Sequence, residues 1–321
     1  MTNKAGAFLE RGTSWMTGSP RAPASLGLLR STIGLVSFVY YVSAASDRHF
    51  LFGPDGLFGR DLLAKELDRT GSWSLFAVFG DGSIFDGLYF VGTLTSTAVL
   101  LGLGGRAVLA LHWVLLWSLY AANPTLMDGG DNLVVLLIPF LMLTRCFDRI
   151  RVTRPRFPAP HCAVANAANN LGVLLIASQA CIVYLLAGLY KVQGELWQDG
   201  TALYYVLRIP EFYLPGVTPL LFHLGWVLVA AAYATVLTSV FFTPLVFFRA
   251  GRPWAVASML LFHIAIAVLM GLTSFALVMM AMDLIFINDH ADKVRSWFVR
   301  EVQMCLSKLR GSRRGGADVA R

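Results

Sequence analysis

Lys191, His263 and Asp131 are ionisable residues set within or at the ends of long apolar runs, and acid–base chemistry is what such side chains supply. Lys191 closes the stretch YLLAGLYK, residues 184–191. At helical spacing Tyr184, Ala187 or Gly188, and Lys191 share one face, whose small residues let another helix approach. A lysine on such a face is partly desolvated, which favours the neutral amine, the form able to take a proton. The plainer reading is that it snorkels to the headgroups from a span end.

His263 lies about ten residues into its apolar run, and His112 lies in another. An ionisable group at membrane depth is costly and is read as functional by default, although a lone histidine there also serves as a hydrogen-bonded packing residue. Asp131 opens its run in DGGDNL, where an N-cap aspartate would satisfy free amides and meet the helix dipole. Arg30 falls about one turn inside the first run, within snorkelling reach of the surface. Asp283 sits near the inner end of the last run, where headgroups are the expected surroundings, and Met279, Met280 and Met282 read as packing filler. The candidate catalytic set is therefore Lys191, His263 and Asp131. Arg30, His112, Tyr184 and Trp197 are the candidate pocket residues.

The elements that must hold these side chains are membrane helices. Of 321 residues 56% are hydrophobic and only 14% charged, about half the charge of an ordinary soluble domain. A span needs roughly 20 apolar helical residues. Such runs cover about 26–45, 84–103, 106–122, 131–147, 169–190 and 217–248. A last run, 253–287, would be about 50 Å long as one helix. Gly271-Leu272-Thr273-Ser274 is a plausible break in it, giving a hairpin of two short helices. The runs are continuous rather than alternating, which argues against a β-barrel. The expected fold is all-α: a polytopic bundle of about six full crossings plus a C-terminal helical hairpin. Residues 1–25 lack a compact apolar core, so they form a cytoplasmic lead, with an interfacial turn near Phe8–Trp15, rather than a cleavable signal. The membrane domain then spans 26–290 and a basic cytoplasmic tail 291–321.

Placing the N-terminus inside puts most of the 26 Lys and Arg on the cytoplasmic side, notably Arg145, Arg149, Arg151, Arg154, Arg156 and the tail. The tail joins them only after an even number of crossings, so both termini are expected in the cytoplasm. The net charge of +7 is then topology, with lipid headgroups as counter-charge and no nucleic acid required. Cys146, Cys162 and Cys305 fall in inner segments and Cys181 in a span, so no outer disulfide and no metal site is expected. Two outer segments look ordered. Residues 46–83 carry FGPDGLFGRD and then Trp73-Ser74-Leu75-Phe76 at the interface. Residues 192–216, with Trp197, Tyr204, Tyr205, Phe212 and Tyr213, are expected to cap the outer mouth.

Several stretches, in order, resemble the HTTM superfamily: LGLLRSTIGL with Arg30, LGLGGR, GGDNL, YLLAGLYKVQGELW and FHIAIAVLMGLTSF. That membrane domain is shared by vitamin K-dependent γ-carboxylase and by bacterial proteins such as a membrane component of sporulation-delaying toxin maturation. The likeness covers about residues 26–287. The segment A-G-x-x-K followed by an acidic residue and Trp is similar to the one holding the carboxylase's base, which implies that role for Lys191. The late histidine maps onto His263, and Asp131 stands where the carboxylase has a histidine. The carboxylase continues into a large extracytoplasmic domain, whereas here a basic tail of about thirty residues follows, which puts protein glutamate carboxylation in doubt.

Two readings follow. In the first, a quinone-like or lipid-soluble substrate enters the bundle and Lys191 acts as general base, with a quinone or hydroquinone as the implied cofactor. In the second, the chain is a non-catalytic accessory subunit in the maturation or export of a secreted peptide or toxin, working with a small partner. A transporter ranks below both, since no acidic relay or paired broken-helix repeat stands out. The plasma membrane is the expected location.

Overall fold

The computed structural model of the protein describes residues 2–79, 82–153 and 162–287. Cys305 and the tail from 291 onward lie outside the described residues. The described residues are helical without strands. We label the principal helices α1 (Thr2–Thr17), α2 (Pro23–Ser43), α3 (Gly82–Leu101), α4 (Gly105–Ala122), α5 (Gly129–Leu143), α6 (Ala163–Gln193), α7 (Gly225–Phe247), α8 (Arg252–Met270) and α9 (Thr273–Asp283). Six of these, α2, α3, α4, α6, α7 and α8, are long and apolar enough to cross a membrane. α5 is shorter, as is α9 with the 3-10 turn Leu284–Ile287 that extends it.

Consecutive helices from α2 to α9 pack on one another, and α9 closes the arrangement by packing against α2, α5 and α6 as well as α8. The helices alternate in direction. Ser25 Oγ at the start of α2 donates to the carbonyl of Leu284 beyond α9, Arg106 at the start of α4 donates to that of Thr144 after α5, and Val152 N donates to that of Leu101 at the end of α3. These contacts gather Arg21, Arg106, Arg145 and Arg149 at one end of the bundle, hereafter the arginine-rich end.

Local sequence explains the boundaries. Pro23 sits in the first turn of α2 and Pro253 in that of α8, where a missing N–H costs nothing. Gly271, with φ of 71°, breaks the last apolar run at the expected place, because a left-handed residue there ends α8 without a Cβ clash. The two arms differ from the expectation of two short helices. α8 has 19 residues, a full crossing by length, and α9 only 11.

Three further boundaries depart from the sequence reading. α1 is a 16-residue helix rather than an interfacial turn. The run 217–248 is two helices, Thr218–His223 and α7, hinged at Leu224 (φ −105°, ψ 53°), and uniform hydropathy carries no sign of that hinge. α6 begins at Ala163, six residues before the expected start, and runs for 31 residues, about 46 Å. The early start follows from Asn166, Asn169 and Asn170, whose polarity disguises a helix. Asn170 Nδ2 donates to the carbonyls of Trp15, Met16 and Ser19, and Asn166 to that of Thr17. Asn170 Oδ1 accepts from Arg21 N, and Asn169 Oδ1 from Arg145 N. The three amides thus tie the lead segment and the α5–α6 connection to the start of α6.

The two outer segments are ordered. Arg60–Thr70 is a helix, and Ser74 Oγ donates to the carbonyl of Ser118 while Phe76 is buried against Phe85. Residues 195–212 form short helical turns against α7, where Tyr233 Oη donates to the carbonyl of Gln198.

Candidate functional site

Three ionisable side chains from three helices meet inside the bundle. Tyr184 comes from the last third of α6, His263 from α8 and Asp283 from the end of α9. Asp283 is 0% and His263 1% exposed. Tyr184 Oη lies 2.8 Å from both carboxylate oxygens of Asp283, and His263 Nδ1 is 3.9 Å from Oδ2. His263 Nδ1 is also 2.9 Å from the carbonyl of Met259. A carbonyl only accepts, so that contact places a proton on Nδ1. Nε2 is buried without a partner among the described residues.

Aromatic rings seal the cluster. Phe242 lies 4.4 Å from Tyr184, while Phe262 and Phe275 present edges to His263 at 5.2 and 5.8 Å. No Lys or Arg pairs with Asp283 among the described residues. An ion without a partner costs several kcal/mol in such surroundings. The cluster is electrically balanced when one proton is held between carboxyl and imidazole. Asp283 was expected to face headgroups. Instead it is the centre of this group, because α9 ends against Tyr184 rather than at the surface. The sequence signal that could have found it is an acid following an apolar helix only 11 residues long.

Asp131 lies at the end of the bundle opposite the arginine-rich end. The N-cap of α5 is Asp128, not Asp131: its Oδ1 accepts from Gly130 N at 2.6 Å and Asp131 N at 2.9 Å. Asp131, three residues on, returns the favour by accepting from Asp128 N at 3.1 Å, completing a capping box. Its other oxygen accepts from Tyr120 Oη at 2.7 Å. A Cβ on Gly130 would come within 2.9 Å of Phe275 Cα, and the Phe275 ring is the one beside His263. A single phenylalanine therefore separates the start of α5 from the buried cluster.

Lys191 is half-buried in the last turn of α6. Its Nζ is 3.4 Å from the carbonyl of Ala187 and 5.3 Å from the Trp197 ring centroid. Gly188, on the same face, lies where a Cβ would stand 2.9 Å from Val240 N, so the small residue does admit α7. No hydrogen bond or ion pair joins Lys191 to His263 or Asp131 among the described residues. Its structural link to the cluster is Tyr184, two turns back on α6 and about 10 Å along the axis.

Two other candidates lie elsewhere. Arg30 is fully buried at the arginine-rich end and does not snorkel. Its guanidinium donates to the carbonyls of Cys146 (3.1 Å), Leu100 (3.3 Å), Val99 and Ile150, and lies over the Phe147 ring. Val99 and Leu100 are in the last turn of α3, whose carbonyls lack helical partners and form the negative end of its dipole. His112 is buried between α3 and α4, with Nδ1 3.3 Å from Thr95 Oγ1 and Nε2 unpartnered among the described residues. Neither reaches Lys191, His263 or Asp131 through a hydrogen bond or ring contact. Among the described residues no group of three His, Cys, Asp or Glu is close enough to hold a metal ion.

Comparison with known proteins adds the family. The HTTM domain matches residues 76–290, two thirds of the chain, and that region holds Asp131, Tyr184, Lys191, His263 and Asp283 but not Arg30. The chain is also similar to sporulation-delaying protein SdpB of Bacillus subtilis (strain 168), 26% identical over 139 residues. That stretch covers 39% of this chain and 40% of the relative's length. No solved structure matches. A bundle of apolar helices with an HTTM match over most of its length settles the kinship: the chain belongs to the HTTM domain family of multi-pass helical membrane proteins, distantly related to SdpB.

Proposed function

We propose that this protein performs proton chemistry on a lipid-soluble, hydroquinone-like substrate within the cell membrane. The observation that carries this reading is the Tyr184–Asp283–His263 cluster, which buries three proton-exchanging groups where an apolar bundle would be more stable without them. Lys191, at the mouth two turns along α6, acts as the base that takes the phenolic proton. Its neighbour Trp197 offers a ring face to an incoming aromatic head. Asp131, fixed by the capping box and Tyr120, polarises the same outer region. Deprotonation makes a hydroquinone easier to oxidise. With dioxygen as oxidant the balanced change is hydroquinone plus dioxygen to quinone plus hydrogen peroxide.

The test is oxygen uptake by the full chain in nanodiscs supplied with a prenylated hydroquinone. Wild-type protein should exceed empty discs. Lys191→Arg should return the rate to that background, because a guanidinium keeps its proton throughout the physiological range. Full uptake in Lys191→Arg, at equal protein level, would remove Lys191 as the base.

The similarity to SdpB and the half-exposed position of Lys191 favour a second reading, an accessory subunit for a secreted peptide or toxin. That reading expects no uptake above background in wild-type protein and silent exchange of lysine for arginine.

A further inference from the structure

A second feature lies on the surface of the bundle, running from its arginine-rich end to the outer side of this cluster. A groove of about 380 Å³ sits beside α1, and a larger one of about 600 Å³ runs along α6 from Val173 to Leu185. The larger is floored by Ala177, Ser178 and Cys181 of α6, walled by Thr243, Val246 and Phe247 of α7, and completed by Ile285 and Phe286. The twelve steps from Val173 to Leu185 measure about 18 Å, close to the depth of one leaflet of a 30 Å hydrocarbon core.

The apolar part ends in Trp15, Arg21 and Arg252. Neither arginine has a carboxylate within ion-pair distance among the described residues. Arg21 Nε is buried with no hydrogen-bond partner, its guanidinium carbon 5.4 Å over the Trp15 ring. Arg252 spends Nε on the carbonyl of Val246 at 2.7 Å, leaving its outer nitrogens without an acceptor among the described residues. The smaller hollow shares Trp15 and Arg21 but adds Glu10 and Arg11, so its charge is mixed.

We infer that the larger groove is a binding site for one anionic glycerophospholipid of the leaflet at the arginine-rich end. An acyl chain lies along Val173–Leu185, and the phosphate sits between Arg21 and Arg252, with Trp15 at headgroup level. Charge complementarity selects this occupant. A neutral quinone head leaves two guanidinium groups unanswered, and the chain's own C-terminal tail, rich in Lys and Arg, repels them. Arg21 also follows the asparagine tie, since its backbone N–H donates to Asn170 Oδ1, so the charge is held in place by the fold.

The experiment uses the full chain in nanodiscs of phosphatidylcholine and phosphatidylglycerol at three to one, with retained lipid read by native mass spectrometry. Wild-type protein should retain one phosphatidylglycerol in excess of the bulk ratio. Near an anionic surface one basic side chain is worth roughly fivefold in binding, so Arg21→Gln should lower retention by at least that factor. Arg249→Gln, at an exposed position outside the groove, should leave it unchanged, and Arg252→Lys should keep most of it. Ser178→Trp retains both arginines and fills the apolar floor from an exposed position, and it should abolish retention. Equal losses in Arg21→Gln and Arg249→Gln would overturn the site in favour of diffuse surface attraction. So would undiminished retention in Ser178→Trp, or stoichiometric phosphatidylcholine. None of these outcomes bears on hydroquinone-dependent oxygen uptake, which tests the interior cluster separately.

Discussion

Arg30 and Asp283 are both buried charges, yet they should answer mutation differently. Arg30 is surrounded by four carbonyls, of which only that of Val99 also accepts from a backbone N–H, that of Gly102, so Arg30→Met leaves the others orphaned. An unsatisfied buried group costs about 1–3 kcal/mol, and the loss of this fan should cost at least roughly 3 kcal/mol. The expected result is a fall of many degrees in the detergent melting temperature; an unshifted melting curve would refute the cage. Arg30→Lys should rescue little, since one ammonium cannot reach four carbonyls set around a planar group. Asp283→Asn, by contrast, keeps the shape and still accepts from Tyr184 Oη. It should fold with a change below about 1 kcal/mol while losing substrate-dependent oxygen uptake, and retained uptake would reduce the cluster to a structural role. The sequence reading placed both residues near the surface, Arg30 within snorkelling reach and Asp283 among headgroups, and so showed neither their burial nor their partners. For Arg30 the acceptors are backbone groups, which leave no trace in residue identity. For Asp283 the partner Tyr184 lies on a helix whose rotation only the packing fixes.

Among the elements, α6 carries the most. Its first turns are held by the three asparagines and its last by Gly188 against α7. Asn170→Ala removes one side chain that serves the carbonyls of Trp15, Met16 and Ser19. The lead should then detach at a cost of about 1–3 kcal/mol, read as faster amide exchange over residues 15–21 with little change elsewhere. Uniform exchange rates would argue against a discrete tie. Gly188→Leu must push Val240 away and should destabilise by about 1–3 kcal/mol. The apolar runs of α2, α3, α4 and α6, and the break at Gly271, could be read from residue types, because span length and a left-handed glycine are local demands. The start of α6 could not: asparagine is penalised in a membrane helix unless its partners are known, and those partners lie about 150 residues earlier. The Leu224 hinge was equally hidden, since leucine is apolar in either conformation.

For the molecule as a whole, alternation of helix direction from α2 to α9 places the start of α6 at the same end as Arg145 and Arg149. Cys162, exposed just before α6, reports that end. If the charge asymmetry orients the protein, a membrane-impermeant maleimide should fail to label a Cys305→Ser variant in intact cells and label it in inverted vesicles. The opposite pattern would invert the topology. Family and bundle were visible early because motif order and hydropathy survive without coordinates. The candidate set Lys191, Asp131 and His263 is a different matter. Residue type and position along an apolar run single out each member, but they leave open which helix lies between them, and no hydrogen bond or ion pair joins Lys191 to the other two among the described residues.

The cage around Arg30 also sets an order of events during synthesis. Its acceptors at Val99 and Ile150 lie 69 and 120 residues further along the chain. At roughly 5–20 residues per second, α2 leaves the ribosome some 6–24 seconds before the last of them exists. During that interval a guanidinium on the first apolar helix faces lipid or water, at a cost of about 2.5–3.5 kcal/mol if held at mid-span. The first helix therefore waits near the interface, and the arrival of residues 145–151 draws it to full depth. Nascent chains stalled after residue 140 should leave α2 shallow to a glycosylation or cysteine-depth ruler, and those stalled well beyond 150 should seat it; equal depth in both would exclude delayed insertion.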